Sequence, residues 1–457
     1  MTRTTATTAK KKRRTSTTTR TQKKTTTQKK TQKATPKAEA KPATKTRPEL
    51  NIVCDRSILN DYLDFVAKGV PQNPSHAILN NVLFVADAAE QKLHLTTYNL
   101  QFGMSVSFAA TVNSPGAMTL PLDAFRQMIG KFPQGDISLE CKIVEPTEPE
   151  EEPALAAILS TPSDRDKRFE FRGMVEDDFP NLPRVETKLM TLPASLLLAQ
   201  LSGSLFAAST QEDKKILNGS HFYLSCDPER KLDSLRTWTT NGHRLALMEG
   251  KTESKSQTPL AEPVSFTVPL KVLRELERNL DPTDKVTLYF EKSETSETQG
   301  GTAIFEWNEK CLVTATLEGQ YPDCEGVVQP LRSQYCRAFT VERVALLKTL
   351  ERFVVLSDKS AKAVTLRLES ETQKAYLSIE HKEVGKGEEA LGIQMKGEDV
   401  EFKYDVRYFL EVVKAISTSD LRIHLASPET PTLIVPYGTN AKGEVPIAAE
   451  YILAPLY

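Results

Sequence analysis

The chain has 457 residues, with 59 Lys and Arg against 60 Asp and Glu, 39 % hydrophobic residues, 27 Pro and six Cys; at about 100–200 residues per domain this length predicts two to four domains. No run of about 18 apolar residues occurs and the N-terminus lacks the apolar stretch of a secretory signal, which excludes a membrane-spanning helix and gives the expectation of a cytoplasmic protein with no membrane partner. Cys54, Cys141, Cys226, Cys311, Cys324 and Cys336 are scattered without a C-x-x-C pair, so reduced, mostly buried thiols are expected.

Residues 1–48 hold 16 Lys and Arg and one acid, Glu39, which puts +15 on this segment and −16 on the rest. With no large apolar side chain beyond Met1, the segment cannot offset the entropy of ordering and reads as a disordered basic tail. Such a tail attracts nucleic acid through phosphate contacts without sequence preference. A solvated solubility tail, or an organelle transit peptide implying a plastid location, are the open alternatives.

From residue 49 the chain alternates short strand-like runs with amphipathic helices. The first unit begins near Ile52, and its helix places Leu59, Tyr62, Leu63 and Val66 on one face at i, i+3, i+4, i+7. Further units begin near Met118, Met190, Phe266, Phe339 and Phe402. Met118 to Asp136, Phe266 to Asp284 and Phe402 to Asp420 are each 18 residues, while Ile52 to Leu79 and Met190 to Leu217 are each 27 and end in AILNN and KILNG. Three polar runs between strand-like stretches, at 145–153, 291–301 and 381–389, read as hairpin tips or surface loops.

A longer period lies over the six units. Phe179-Pro180 and Tyr321-Pro322 are 142 residues apart, so two units make one domain. The expected architecture is α+β, with three repeated domains of two strand-helix-strand modules each, over 49–186, 187–333 and 334–457. Units stacked edge to edge make a curved object, which becomes a ring if a second copy closes it.

The predicted helices carry Lys68; Arg126 and Lys131; Lys271, Arg274 and Arg278; Arg343, Lys348 and Arg352; Arg407 and Lys414. A basic stripe on an acidic body suits a lining that faces phosphate; an ordinary charged helix face, with Glu275, Glu277 and Glu351 on the same segments, is the alternative. No G-x-x-x-x-G-K-[ST] loop, no G-x-G-x-x-G after a strand and no H-E-x-x-H is present, so no nucleotide motor, catalytic residue, metal or cofactor is expected. Asp177-Asp178 reads as a solvated turn. The run TTNGHRLAL, Thr239 to Leu247, carries an Asn-Gly turn that presents His243 and Arg244 between two strands.

Taken together, AILNNVLF at 77–84, LPLDAF at 120–125, DDFPNLP at 177–183, ILNG at 216–219, TNGHRLAL at 240–247, TVPLKVLREL at 267–276, LEGQYPD at 317–323, LERFVVLSD at 350–358 and YILAP at 451–455 resemble the bacterial sliding clamp family, the beta subunit of DNA polymerase III. The resemblance runs in family order from about residue 49 to the C-terminus. It implies a homodimeric ring lined by twelve helices, encircling double-stranded DNA and tethering the replicative DNA polymerase and other proteins that carry a clamp-binding motif, with a separate clamp loader.

The resemblance also implies site residues. The pocket for the partner motif would comprise Leu217, Thr240, Gly242, His243, Arg244, Leu245, Pro322, Val327, Asp405, Tyr408, Ile452, Leu453, Pro455 and Leu456. Gln211 matches a DNA-contacting Gln, and Asn73 stands where an Arg touching DNA is frequent; Arg126, Lys131, Lys271 and Arg278 complete the expected DNA-facing set. Val355 and Leu356 match apolar positions of the dimer interface. Ala454, Gly326 and Tyr457 depart from the family pattern, where Met, Arg and Arg-Leu are common. The alternative function is an architectural DNA-binding protein acting through the basic tail.

Overall fold

The computed structural model describes residues 50–71, 76–144, 154–162, 164–253, 260–293, 300–358, 361–440 and 447–456. The basic tail at 1–48, Asn73, the acidic run at 145–153, residues 294–299 and Tyr457 lie outside the described residues.

A strand that runs directly into a helix recurs six times. In the first domain, β1 (Asn51–Asp55) leads into α1 (Arg56–Val66), followed by β2 (Asn81–Asp87), β3 (Lys92–Tyr98), β4 (Phe102–Ala109) and β5 (Thr111–Ser114). Its second half has β6 (Gly116–Pro121), α2 (Leu122–Lys131), β7 (Asp136–Val144), β8 (Ala154–Thr161) and β9 (Asp164–Gly173). The second domain has β10 (Lys188–Pro193), α3 (Ala194–Ser204), β11 (Gly219–Asp227), β12 (Leu232–Thr240) and β13 (Arg244–Glu253), then β14 (Val264–Pro269), α4 (Leu270–Asn279), β15 (Lys285–Lys292), β16 (Gly301–Trp307) and β17 (Lys310–Ala315). After a connecting helix, α5 (Cys324–Arg332), the third domain has β18 (Arg337–Glu342), α6 (Arg343–Val355), β19 (Ala363–Glu369), β20 (Lys374–His381) and β21 (Gly385–Lys396). It ends with β22 (Val400–Asp405), α7 (Val406–Ala415), β23 (Thr418–Leu425), β24 (Thr432–Asn440) and β25 (Ala448–Leu453).

The strand-to-helix switch has two local causes. At α1 and α7 the last strand residue is an Asp whose carboxylate caps the helix: Asp55 accepts from Ser57 N at 2.8 Å and Ile58 N at 3.0 Å, and Asp405 accepts from Arg407 N at 3.0 Å. At α2, α3 and α4 it is Pro121, Pro193 or Pro269, held near φ −60° with extended ψ. A proline there loses no intrahelical bond, because the first amides of a helix have no carbonyl partner.

Within each domain the two halves exchange strands: β1 pairs with β7, β10 with β15 and β18 with β23, while β2 pairs with β6, β11 with β14 and β19 with β22. The helices touch in pairs, α1 with α2, α3 with α4 and α6 with α7. The domains are joined by strand pairing: β4 to β17, and β13 to β25. One buried apolar cluster runs through the first and second domains and another fills the third. The polar run at 381–389 is the β20–β21 hairpin, whose tip holds exposed Val384.

Candidate functional site

The site grows from the β13–β25 seam, where Arg244 pairs with Leu453 and Leu245 with Ile452. Side chains alternate along a strand, so the seam has two unlike faces. On one, Leu245, Leu247, Tyr321, Cys324, Val328, Leu433 and Ile452 are buried together, with Ile216, Leu217 and Trp238 packed against them. Leu453 points the other way, fully buried in the third-domain core. Helix α5 covers the first face through Cys324 and Val328. Its last residue, Arg332, pins it to β25 through Glu450 at 2.5 Å, with Glu325 at 2.9 Å.

Three aromatic rings order this face. His221 is sandwiched between Trp238 and Tyr321, with ring centroids 5.3 and 5.0 Å away, and Tyr321 Oη accepts from Thr240 N at 2.9 Å. His221 Nδ1 lies 3.0 Å from Thr267 Oγ1. Burial pushes the His221 pKa down to about 4 and raises that of Tyr321, so both stay neutral. As pH falls through about 6.5 the unfolded chain takes up the His221 proton while the folded chain refuses it until about 4, and stability drops across that window by ~3 kcal/mol in full. The variant His221→Phe keeps a ring in the sandwich without titrating. Its loss of stability between pH 7 and 4.5, measured by urea unfolding, is expected to be smaller than the wild type's by ~2 kcal/mol.

The Asn241-Gly242 turn sits at the head of β13. Asn241 Oδ1 accepts from His243 N at 2.9 Å and Arg244 N at 3.1 Å, and Thr240 Oγ1 donates to Arg244 O at 2.7 Å. Gly242 has φ +88°, a conformation that favours glycine. The two residues expected side by side on the turn separate: His243 is exposed, whereas Arg244, already in the strand, is only 7 % exposed. Its guanidinium ion-pairs with Glu411 on α7, donates to Phe206 O and lies over the Tyr408 ring at 4.5 Å. Burial lowers its pKa to about 10, still far above neutral, with Tyr408 and Asp405 opposing the shift. A cavity of about 370 Å³ opens here, lined by Gln211, His243, Arg244, Arg274, Tyr408 and Glu411 among others.

The remaining expected pocket residues surround these groups. Asp405 caps α7 and lies 3.5 Å from Lys362. Pro322 is exposed ahead of α5, and Val327 is 59 % exposed on it. Pro455 is buried and Leu456 half-buried, with Leu456 N donating to Lys403 O. Ala454 N donates to His243 O at 2.9 Å, which ties the turn to the end of the chain. Asp323 caps α5 by accepting from Gly326 N, and a Cβ at that glycine would meet the Asp323 carboxylate, which would have to turn aside. Helix α5 and the His221 sandwich were not expected; the spacing of Cys324 and Val328 by four was the sequence signal for the first.

On the helices, Lys131 and Lys271 are exposed and have no ion pair among the described residues. Arg126 and Arg278 are bound to carboxylates instead, Asp64 at 2.5 Å and Glu275 at 2.7 Å. At the end of α6, Val355 is 79 % exposed and Leu356 is half-buried. Among the described residues, no group of three or more His, Cys, Asp and Glu could hold a metal ion, and no helix is long and apolar enough to cross a membrane.

Comparison with known proteins follows the same division of the chain. Residues 50–183, 191–323 and 333–445 match, in turn, the N-terminal, central and C-terminal domains described for the DNA polymerase III beta subunit. A beta sliding clamp of Synechococcus elongatus is 35 % identical over 412 residues, covering 89 % of this chain and 99 % of that one. A beta sliding clamp of Synechocystis is 34 % identical over 401 residues, covering 85 % and 96 %. Among solved structures, the DNA polymerase sliding clamp of Bacillus subtilis has a TM-score of 0.74 at 20 % identity, covering 90 % of this chain and 99 % of that one. The beta subunit of Streptococcus pyogenes DNA polymerase has a TM-score of 0.75 at 22 % identity, covering 89 % and 99 %.

Proposed function

The chain belongs to the DNA polymerase III beta subunit family, and from that premise we propose that it is a sliding clamp in which two copies close a ring around duplex DNA. It is a processivity factor, without a catalytic site of its own. Its three domains span 49–186, 187–333 and 334–457 in this reading.

The rule by which the domains join carries the ring. Both junctions pair the last long strand of one domain's first half with the last strand of the next domain's second half: β4 with β17, and β13 with β25. Two strands of that kind remain. β9 ends the five-stranded sheet of the first domain, and β21 pairs with β20 on one side over Gly385–Gly392, while β18 reaches only Ile393–Lys396 on the other. Open edges of this length invite another chain. A second copy related by a two-fold axis offers its β9 to this β21 and its β21 to this β9, which repeats the rule and closes six domains into a ring. The six strand-capped helices, doubled, give twelve for the lining.

Sliding needs contacts that break and reform easily. Lys131, Lys271 and Gln211 are suited to touch phosphates, and the exposed Arg126–Asp64 pair is worth so little that phosphate can replace its carboxylate, while Arg278 is itself exposed but paired with the buried Glu275. The face at β13–β25 is suited to a short motif from a partner, with Leu217, Leu245 and Ile452 taking apolar anchors and the His243 turn fixing orientation. The replicative polymerase and a clamp loader are the partners this reading requires, and the cytoplasm around the nucleoid is the compartment. The architectural alternative is not favoured, because the family match runs through all three domains of the body, 50–183, 191–323 and 333–445.

The test uses absolute mass and topology. Light scattering across a dilution series should give about twice the 50.9 kDa of the chain. Protein loaded on circular DNA should stay bound and escape once the circle is cut. A monomer at every concentration, or equal retention on cut DNA, would refute the ring.

A further inference from the structure

The internal repeat that relates the domains carries the pocket with it. At the junction of the first and second domains, Phe102 pairs with Thr314 and Gly103 with Val313. Phe102 and Gly103 stand 142 positions before Arg244 and Leu245, as Phe179-Pro180 stand before Tyr321-Pro322. The turn is repeated as well. Asn99 Oδ1 accepts from Gln101 N at 3.1 Å and Phe102 N at 2.8 Å, the same pattern as at Asn241. Beneath it, Ile78, Leu79, Tyr98 and Phe179 are buried together, with Leu83 and Leu182 against them.

The two turns differ at one informative position. Where the second domain has Gly242 at φ +88°, the first has Leu100 at φ +73°. A leucine is strained there, and strain of this kind tends to persist where it serves a site. The Leu100 side chain is 53 % exposed at the mouth of a cavity of about 470 Å³, lined also by Ile78, Leu79, Met174 and Pro180. Met174 is 38 % and the adjacent Val175 44 % exposed, so apolar surface is concentrated at this opening. Its charge is acidic, where the other pocket is mixed. Glu176, Asp177 and Asp178 form a single exposed turn beside it, no Lys or Arg among the described residues lines it, and burial together with Asp177 holds the Glu176 carboxyl above its usual range. The cavity beside Tyr408 is lined by Arg244 and Arg274 together with Glu411, the partner of Arg244.

We propose that the first domain carries a second docking pocket, which takes an extended partner peptide with leucine-sized apolar anchors flanked by Lys or Arg. Apolar anchors would fill the space around Leu100, Met174 and Pro180, and the basic flank would meet the acidic turn. The proposal rests on the motif-pocket reading of the β13–β25 face only in being its repeat.

The test uses the full chain and a synthetic heptapeptide with two photoreactive leucines between terminal lysines, compared with a twin carrying glutamates in place of lysines. Irradiation and mass-spectrometric mapping should place adducts of the basic peptide within residues 76–80, 98–102 and 174–180, with about tenfold fewer from the acidic twin. Leu100→Gly relieves the backbone while removing the side chain. It should cut this labelling about fivefold with the urea midpoint unchanged or raised, and Met174→Ser should act in the same direction. Absence of adducts in the first domain, equal labelling by both peptides, or labelling indifferent to Leu100→Gly would each overturn the proposal. Adducts at 216–245 and 452–456 report the other pocket independently, so failure of one reading is distinguishable from failure of the other.

Discussion

Val355→Asp is expected to convert a particle of twice the chain mass into a monomer without weakening the fold. In the single chain Val355 is 79 % exposed at the end of α6, and substitutions at such positions usually change stability by less than about 0.5 kcal/mol. It lies beside the open edge of β21: a Cβ at Gly387 would stand 3.2 Å from Leu356, and Val384 at the hairpin tip is 61 % exposed. The surface facing it across the proposed seam carries Phe169, 41 % exposed, on β9. Burying one valine contributes about 1.5–3 kcal/mol, and a carboxylate in its place adds a desolvation cost. A two-fold ring has two such seams, so one substitution acts twice. The dimer should weaken by ~4 kcal/mol or more, roughly a thousandfold in its dissociation constant. Light scattering at low micromolar concentration, with a urea midpoint matching the wild type, is the check. A persistent dimer would place the seam elsewhere.

The repeat was legible because each of its parts obeys a local rule. Alternation of apolar residues marks the strands, the 3.6-residue period marks the helices, and the equal 18-residue spacing to Asp136, Asp284 and Asp420 marks the repeat. Helix α5 shows only one repeat of the helical period, Cys324 and Val328. It has nine residues, with Gly326 and Pro330 inside it, and it is held by tertiary contacts: Cys324 and Val328 in the apolar cluster, the Asp323 cap, and Arg332 on Glu450. The junction strands were equally hidden, since the choice of β17 for β4 depends on residues more than 200 positions apart. In the pocket, Leu245 and Ile452 were found together, but adjacent strand residues face opposite ways, and this sends Leu453 into the third-domain core. Arg244 reads as exposed because charged turn residues usually are. Its burial needs Glu411, which only the packing of α7 against the second domain brings near.

That burial makes Arg244 the residue whose replacement should most disturb the pocket. It joins three elements: Phe206 after α3, its own strand β13, and Tyr408 with Glu411 on α7. Arg244→Ala removes the guanidinium that lies over the Phe206 and Tyr408 rings and leaves the Phe206 carbonyl and Glu411 carboxylate without their donor. Breaking a buried pair costs about 3–5 kcal/mol, but the Glu411 side chain is 45 % exposed and water can take over its half. The expected loss is therefore nearer ~3 kcal/mol, read from urea unfolding. Arg244→Met keeps a long stem and should lose only about half as much. Both should bind a fluorescent clamp-binding peptide at least about tenfold more weakly, because the guanidinium lines the cavity and holds the Tyr408 ring beside it. A cycle with Glu411→Ala separates the pair from the packing, and a coupling of about 1–2 kcal/mol is expected. Should Arg244→Met lose stability yet bind the peptide like the wild type, the arginine would be an interdomain staple with no part in recognition, and the motif would have to be held by the Leu217, Leu245 and Ile452 face alone.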